Sequence, residues 1–316
     1  MRALPPSFTP YGWTMSTAEA ARIAGVEPWE VLRFDGNTPP SPPPYARPET
    51  VAAALEEVQR YPHGGFPTLL DAIAAYAGVG VEQIVLGAGA DDLILLCARS
   101  FAGPGDTVRV LDEPTYPLFR IASWLAGAEV GDDDAVVTFC CRPHNPTGAL
   151  GPVPGARPLV VDEAYSEYAG DTAVGLGGVV VIRTFSKAFG LAAARVGYAV
   201  ADADTAAELR VRQDPLPITT FSAALALAAL RAGPPDVHET IEERARLADR
   251  LRALGHEPLP SHANFIYVPM DKARERYQQL LQHGLVVRPF EDAVRITVHT
   301  PEANERLLLA LEQADR

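Results

Sequence analysis

The chain has 316 residues, 47% of them hydrophobic and 21% charged, and carries a formal net charge of −13. That length suits one large unit plus a smaller one. The acidic balance argues against a general nucleic-acid binder, which needs a basic face, and leaves room for a basic pocket that takes a small anion.

Residues 1–48 read as an irregular arm, because Pro39-Pro40-Ser41-Pro42-Pro43-Pro44 fits neither a helix interior nor a central strand. Helices are expected over 50–60, capped by Thr50, and over 67–77, with Pro67 in the first turn. Six short, mostly β-branched runs follow at 83–86, 107–111, 135–139, 158–161, 179–182 and 196–200, several of them separated by helical stretches. That rhythm predicts an α/β domain with a mostly parallel sheet over residues 49–236. A long charged helix over 237–254 opens a smaller α+β domain over 237–316, with strands at 264–268, 285–288 and 294–298 and helices at 272–283 and 301–313. The arm is expected to pack with that smaller domain. Cys97, Cys140 and Cys141 include no C-x-x-C pair, which argues against a disulfide framework or a zinc site and fits a reducing cytoplasm. Neither a signal-like opening nor an apolar run of about 18 residues is found, so no membrane partner is expected.

Six segments carry candidate chemistry. Gly87-Ala88-Gly89-Ala90-Asp91-Asp92 follows a strand and opens an apolar helix, where free backbone N–H groups suit a phosphate. A dinucleotide fingerprint is the rival reading, but Asp92 stands where the third glycine would, and its charge opposes a pyrophosphate. Tyr116, in Glu113-Pro114-Thr115-Tyr116-Pro117, lies at the end of the next strand, where an aromatic ring can stack on a planar cofactor. His144-Asn145-Pro146-Thr147-Gly148 is an Asn-Pro turn that places Asn145 as a donor, and its Asn145–Pro146 bond is a candidate for the cis form. In Leu159-Val160-Val161-Asp162-Glu163-Ala164-Tyr165, Asp162 closes an apolar strand; it reads either as a helix N-cap or as a carboxylate that keeps a pyridine nitrogen protonated. Thr184-Phe185-Ser186-Lys187-Ala188-Phe189-Gly190, with Arg195 eight residues beyond the lysine, puts an amine at the carboxyl edge of the sheet beside hydroxyls and a cation suited to phosphate. Tyr61, in Tyr61-Pro62-His63-Gly64-Gly65, can offer a hydroxyl to a phosphate from an inter-helix loop. Taken singly, each segment also fits a bland role as turn, cap, core tyrosine or surface lysine.

Taken in this order, the motifs resemble the fold type I aminotransferases that depend on pyridoxal 5'-phosphate, and among them most resemble the histidinol-phosphate aminotransferase family. The resemblance runs from Phe34-Asp35-Gly36-Asn37 to Val294-Arg295-Ile296-Thr297-Val298. It implies a large domain built on a mostly parallel, seven-stranded type of sheet. It further implies that Lys187 holds the cofactor as a Schiff base and moves the substrate proton, that Asp162 pairs with the pyridinium nitrogen, and that Asn145 and Tyr165 bond the phenolic oxygen. By the same resemblance Tyr116 is expected to stack on the ring, and Ala90, Asp91, Ser186 and Arg195 to surround the phosphate with Thr184 nearby. Arg288, Arg295 and Asn37 are expected to serve the substrate, with Asn264 supporting them. Tyr61 reaches the phosphate of a neighbouring subunit, which implies a homodimer. No metal is implied.

The activity that follows from the resemblance is transfer of an amino group from L-histidinol phosphate to 2-oxoglutarate. The alternatives are an aromatic or general amino-acid aminotransferase, a threonine-phosphate-type decarboxylase, and, from another class, a non-catalytic ligand-sensing regulator. No basic helix-turn-helix stretch supports the last. The chain departs from the family pattern by having only Gly131-Asp132-Asp133-Asp134 between Val130 and Ala135, a Pro- and Gly-rich linker between Gly148 and Leu159 where relatives carry a helix, and His144 where many carry asparagine.

Overall fold

The computed structural model describes residues 4–314. In chain order its elements begin with helix α1 (Thr17–Ala24), strand β1 (Leu32–Arg33), helices α2 (Pro48–Glu56) and α3 (Pro67–Ala77), strand β2 (Ile84–Gly87), helix α4 (Ala90–Phe101) and strand β3 (Thr107–Val110). Helix α5 (Leu118–Ala126), strands β4 (Glu129–Val130), β5 (Ala135–Cys141) and β6 (Leu159–Asp162), helix α6 (Ser166–Ala169), and strands β7 (Val179–Thr184) and β8 (Gly197–Val200) follow. Then come helices α7 (Ala203–Arg212), α8 (Thr220–Ala232) and α9 (His238–Ala253), strand β9 (Phe265–Pro269), helix α10 (Ala273–Gln282), strands β10 (Leu285–Val286), β11 (Arg288–Pro289) and β12 (Ala293–Thr297), and helix α11 (Pro301–Ala314).

The chain forms two compact units, one comprising residues 4–11, 41–142 and 151–235, the other residues 12–40, 143–150 and 236–314. The first is built on a seven-stranded sheet of order β2-β8-β7-β6-β5-β3-β4. Only β8 runs against its neighbours; the other pairings are parallel. β6 and β7 are central, and Leu159, Val160 and Val161 are fully buried, as a strand covered on both faces requires. Each such side chain stabilises the unit by roughly 1.5–3 kcal/mol. Parallel β5, β6 and β7 all end on one edge, so Cys141, Asp162 and Thr184 emerge together there. That edge is where open α/β sheets bind ligands.

The second unit holds a three-stranded antiparallel sheet of order β11-β12-β9 and a parallel pair, β1 with β10. Its core joins Phe34 to Leu247 and Leu251 of α9, Ile266 and Val268 of β9, and Leu307 and Leu311 of α11.

Several expectations need correction. The arm is not wholly irregular, since it contains α1 and β1. Ser16 caps α1 by accepting the Glu19 N–H, and Gly25 closes it in the left-handed conformation. Thr50 does not cap α2: that helix starts two residues earlier with Pro48 at its first position, and the Thr50 hydroxyl donates to the Tyr45 carbonyl instead. The expected strand at 285–288 is two strands, because β10 pairs with β1 while β11 pairs with β12.

Candidate active site

The lysine, the acid and their neighbours all belong to the first unit. Asp162 is buried at the end of β6, where its backbone carbonyl accepts the Arg142 N–H at 2.8 Å and its Oδ1 accepts the Ala164 N–H at 3.0 Å. Cys141 Sγ lies 4.0 Å from Oδ2. Burial pushes the carboxyl up to about 7, against the Ala164 hydrogen bond; Asp91 adds to the rise and Lys187 opposes it. A buried acid held this high fits a protonated ring nitrogen, whose charge would restore the carboxylate. Lys187, three residues beyond β7, holds its Nζ 5.8 Å from the centre of the Tyr165 ring. Tyr165 precedes α6 directly and is itself buried.

A corner that suits an anion lies at the start of α4. Gly89 precedes the helix with φ +82°, and a Cβ there would stand 2.8 Å from an Arg195 guanidinium nitrogen. Only glycine allows the backbone and that guanidinium so close. Ala90 and Asp91 open the helix, so their N–H groups are unclaimed by the helix ladder and suit an anion. Arg195 donates to Asp91 Oδ2 at 2.8 Å, and the Tyr116 hydroxyl donates to Asp91 Oδ1 at 2.8 Å. Asp91 thereby holds both Arg195 and Tyr116. Burial, then Asp91, pushes the Tyr116 phenol well above its ordinary value, so it stays a donor. The Thr184 hydroxyl donates to Ser186 Oγ at 2.9 Å. Acid, amine, flat aromatic and anion corner together fit pyridoxal phosphate: Asp162 for the ring nitrogen, Lys187 for the carbonyl carbon, Tyr116 for the ring face, and Arg195, Ser186 and the α4 start for the phosphate.

The second unit carries the remaining sequence candidates. Arg288 and Arg295 are cross-strand partners, so both side chains rise from one face of the sheet. Arg295 is buried; it donates to Asn145 Oδ1 at 2.5 Å and to the Asp35 carbonyl at 2.8 Å, and stands 5.3 Å over the Phe265 ring. The Asn145–Pro146 bond is cis. Asn37 takes a left-handed conformation; its N–H donates to Thr297 Oγ1 and its carbonyl accepts from Asn264 Nδ2 at 3.0 Å. His144 Nδ1 lies 2.8 Å from the Thr147 hydroxyl and closes the turn, which gives the unusual histidine a local role. Tyr61 is 74% exposed.

The sequence reading missed Tyr11, whose ring meets Tyr116 edge-on at 6.2 Å, and the buried pair of Glu163 and Arg183. Tyr11 lies in an arm whose proline-rich composition hid it. Glu163 was legible only as the neighbour of Asp162.

Fold and site thus define a lysine-based enzyme of the aminotransferase type. The chain belongs to the aminotransferase class I and II family, whose model matches residues 30–132 and 131–311. It is 33% identical to the histidinol-phosphate aminotransferase of Staphylococcus haemolyticus, over 87% of this chain and 88% of that one. Its fold is similar to that of histidinol-phosphate aminotransferase from Sinorhizobium meliloti in complex with pyridoxal-5'-phosphate, with a TM-score of 0.82, 24% identity and coverage of 98% and 97% of the two chains. It is also similar to L-threonine-O-3-phosphate decarboxylase from Porphyromonas gingivalis, with a TM-score of 0.76, 20% identity and coverage of 90% and 99%.

Proposed function

We propose that the chain is a pyridoxal-phosphate aminotransferase that moves the amino group of L-histidinol phosphate to 2-oxoglutarate, giving imidazole acetol phosphate and L-glutamate. The observation that carries the substrate choice is the Arg288–Arg295 pair on one sheet face, together with the 33% identity to a histidinol-phosphate aminotransferase over most of both chains. A transaminase takes two substrates in turn. The donor's phosphate and the α-carboxylate of glutamate are both anions that a guanidinium fork holds bidentately, so the same arginines serve both halves.

When bound, the cofactor supplies a protonated ring that withdraws the electrons left at the substrate's Cα. Asp162 keeps that ring nitrogen protonated. Lys187 holds the cofactor between turnovers, and its freed amine lifts the proton from the donor's Cα. Tyr165 and the Asn145 NH2 donate to the phenolic oxygen, and Tyr116 limits tilting of the ring. Arg195, Ser186, Thr184 and the Ala90 and Asp91 N–H groups anchor the phosphate. Asn37 and Asn264 brace the strand that carries Arg295.

The reading extends to a homodimer in which Tyr61 reaches the partner's phosphate; its high exposure supports this. A place in histidine biosynthesis and in the cytoplasm belongs to the same proposal. Among the described residues no helix is long and apolar enough to cross a membrane.

The experiment mixes holoenzyme with histidinol phosphate, phenylalanine, aspartate or threonine phosphate and follows the cofactor's visible band. Histidinol phosphate should convert it fastest. Reaction with phosphate-free amino acids alone sinks the substrate assignment, and release of carbon dioxide from threonine phosphate without a keto acid moves the chain to the decarboxylases. Sedimentation, and activity restored on mixing Tyr61→Phe with Lys187→Ala protein, test the shared site.

A further inference from the structure

Beneath the edge that carries Asp162 and Lys187 lies a buried ionic cluster that the roles above leave unused. Glu163 is fully buried. Its Oε1 accepts the Ala173 N–H at 2.5 Å, and its Oε2 accepts the Thr172 hydroxyl at 2.7 Å. Arg183, on β7, reaches the same Oε2 through Nε at 3.3 Å and through a terminal nitrogen at 3.1 Å, and that terminal nitrogen also donates to Thr172 Oγ1 at 2.8 Å. The Arg183 side chain is only 12% exposed. A second acid, Glu167 of α6, lies close enough to act on Arg183 and accepts the Tyr76 hydroxyl of α3 at 3.3 Å. Burial disfavours the charge of Glu167, so the cluster resolves into one ion pair and one carboxyl held towards its neutral form. Burial also opposes the charge of Arg183, but the surrounding groups hold it well above its ordinary value. Tyr198 faces it across the β7–β8 pairing.

The placement matters more than the charge. Glu163 follows Asp162 directly, and Tyr165 comes two residues later. Arg183 stands just before Thr184, Ser186 and Lys187. The backbone joins the two segments through the Glu163 N–H to the Ile182 carbonyl at 2.8 Å. Past that bond they part, one into α6 and the other into the lysine turn. We infer that the Glu163–Arg183–Thr172 cluster is a positioning device that fixes the spacing between the acid at one end of the cofactor ring and the amine at the other. An ion pair with a forked donor resists sliding as well as separation. Productive geometry in such sites tolerates about 0.5 Å, and a misplacement of about 1 Å costs on the order of a hundredfold in rate. A carboxylate and a guanidinium dried out in this way are a poor route to stability alone, since a well-packed apolar pair often does as well.

The inference rests on Lys187 and Asp162 holding the cofactor, and the experiment separates the two. Glu163→Gln keeps the shape and removes the ion pair; Thr172→Val, at an exposed site that tolerates change, removes the hydroxyl bridging both partners. Holoenzyme of each is measured for cofactor dissociation, the pH midpoint of the visible band, and kcat and KM separately. Glu163→Gln should loosen the cofactor by on the order of tenfold, move the band's midpoint and lower kcat by about ten- to a hundredfold with KM for the donor unchanged. Thr172→Val should move the same quantities in the same direction by a smaller factor, and decides the matter if Glu163→Gln does not fold. Variants that melt earlier yet keep wild-type cofactor affinity, band midpoint and kcat overturn the inference and leave the cluster a scaffold. A wild-type protein with no visible band, or one whose band survives Lys187→Ala, overturns instead the reading on which it rests.

Discussion

Replacing Asp162 with asparagine in the cofactor-free protein isolates what that carboxyl costs the fold. Its value rises from 3.8 to about 7 on folding, chiefly because burial disfavours the charge. An acid raised in this way contributes stability that is complete below about pH 4 and lost as pH climbs through about 7. At about 1.4 kcal/mol per pH unit, that interval comes to roughly 4 kcal/mol. Asparagine keeps the acceptor for the Ala164 N–H and carries no charge. The two proteins should therefore unfold alike in urea near pH 4, and the variant should become the more stable by several kcal/mol near pH 8. Adding cofactor should reverse the order, because a protonated ring nitrogen pairs with the carboxylate and not with the amide. A stability difference that stays flat across pH 4 to 8 in the cofactor-free proteins would refute the argument that Asp162 is a buried acid waiting for a cation.

Lys187→Ala should abolish the cofactor's visible band and turnover together while leaving the urea midpoint of the cofactor-free protein nearly unchanged; full turnover with an intact band contradicts the assignment. Gly89→Ala forces a side chain into a conformation reserved for glycine, at a cost of about 1–3 kcal/mol, and towards the Arg195 guanidinium 2.8 Å away; equilibrium dialysis should show weaker cofactor phosphate binding. Arg295→Lys cannot serve both Asn145 and the Asp35 carbonyl, so kcat/KM for the donor should fall on the order of a hundredfold, and a change of only about twofold would remove Arg295 from the site.

What could be read in advance follows from how local each signal is. β6 and β7 are short, largely β-branched apolar runs, and β5 is a mostly buried run of valine, threonine, phenylalanine and cysteine; their length and composition mark them as strands. β4 has two residues, too few for any pattern, and β1 exists only because Leu32 and Arg33 meet Leu285 and Val286 some 250 residues later. α1 was legible in principle, since Ser16 three residues before Glu19 is a capping signal; the surrounding prolines masked it. The motifs around Gly89, Asp162 and Lys187 were legible because each directly follows a strand, where chain order and sheet edge coincide. Tyr11 and Arg183 were not: one acts across more than a hundred residues, and the other is a cation inside a buried strand, where sequence rules expect none.

The two segments in which the chain departs from the pattern it resembles are each held by arginines. Between Gly148 and Leu159, read from the sequence as a Pro- and Gly-rich linker, the chain is pinned by arginines. Arg142 donates to the Gly151 carbonyl at 2.7 Å and to Asp171 at 2.5 Å, and Arg157 donates to the Pro154 and Gly177 carbonyls at 2.8 and 2.7 Å. Val153 packs on the cluster of Cys140, Leu159 and Val161. At the other trimmed place, Arg109 of β3 bonds the Asp132 carbonyl and pairs with its carboxylate, which closes the Asp132-Asp133-Asp134 turn beside edge strand β4. Guanidinium groups satisfy several backbone carbonyls at once, which is what an extended linker needs when no helix ladder satisfies them. Arg142 also anchors the site, because its own N–H holds the Asp162 carbonyl. The residue that pins the linker therefore also ties the strand end on which Asp162 stands.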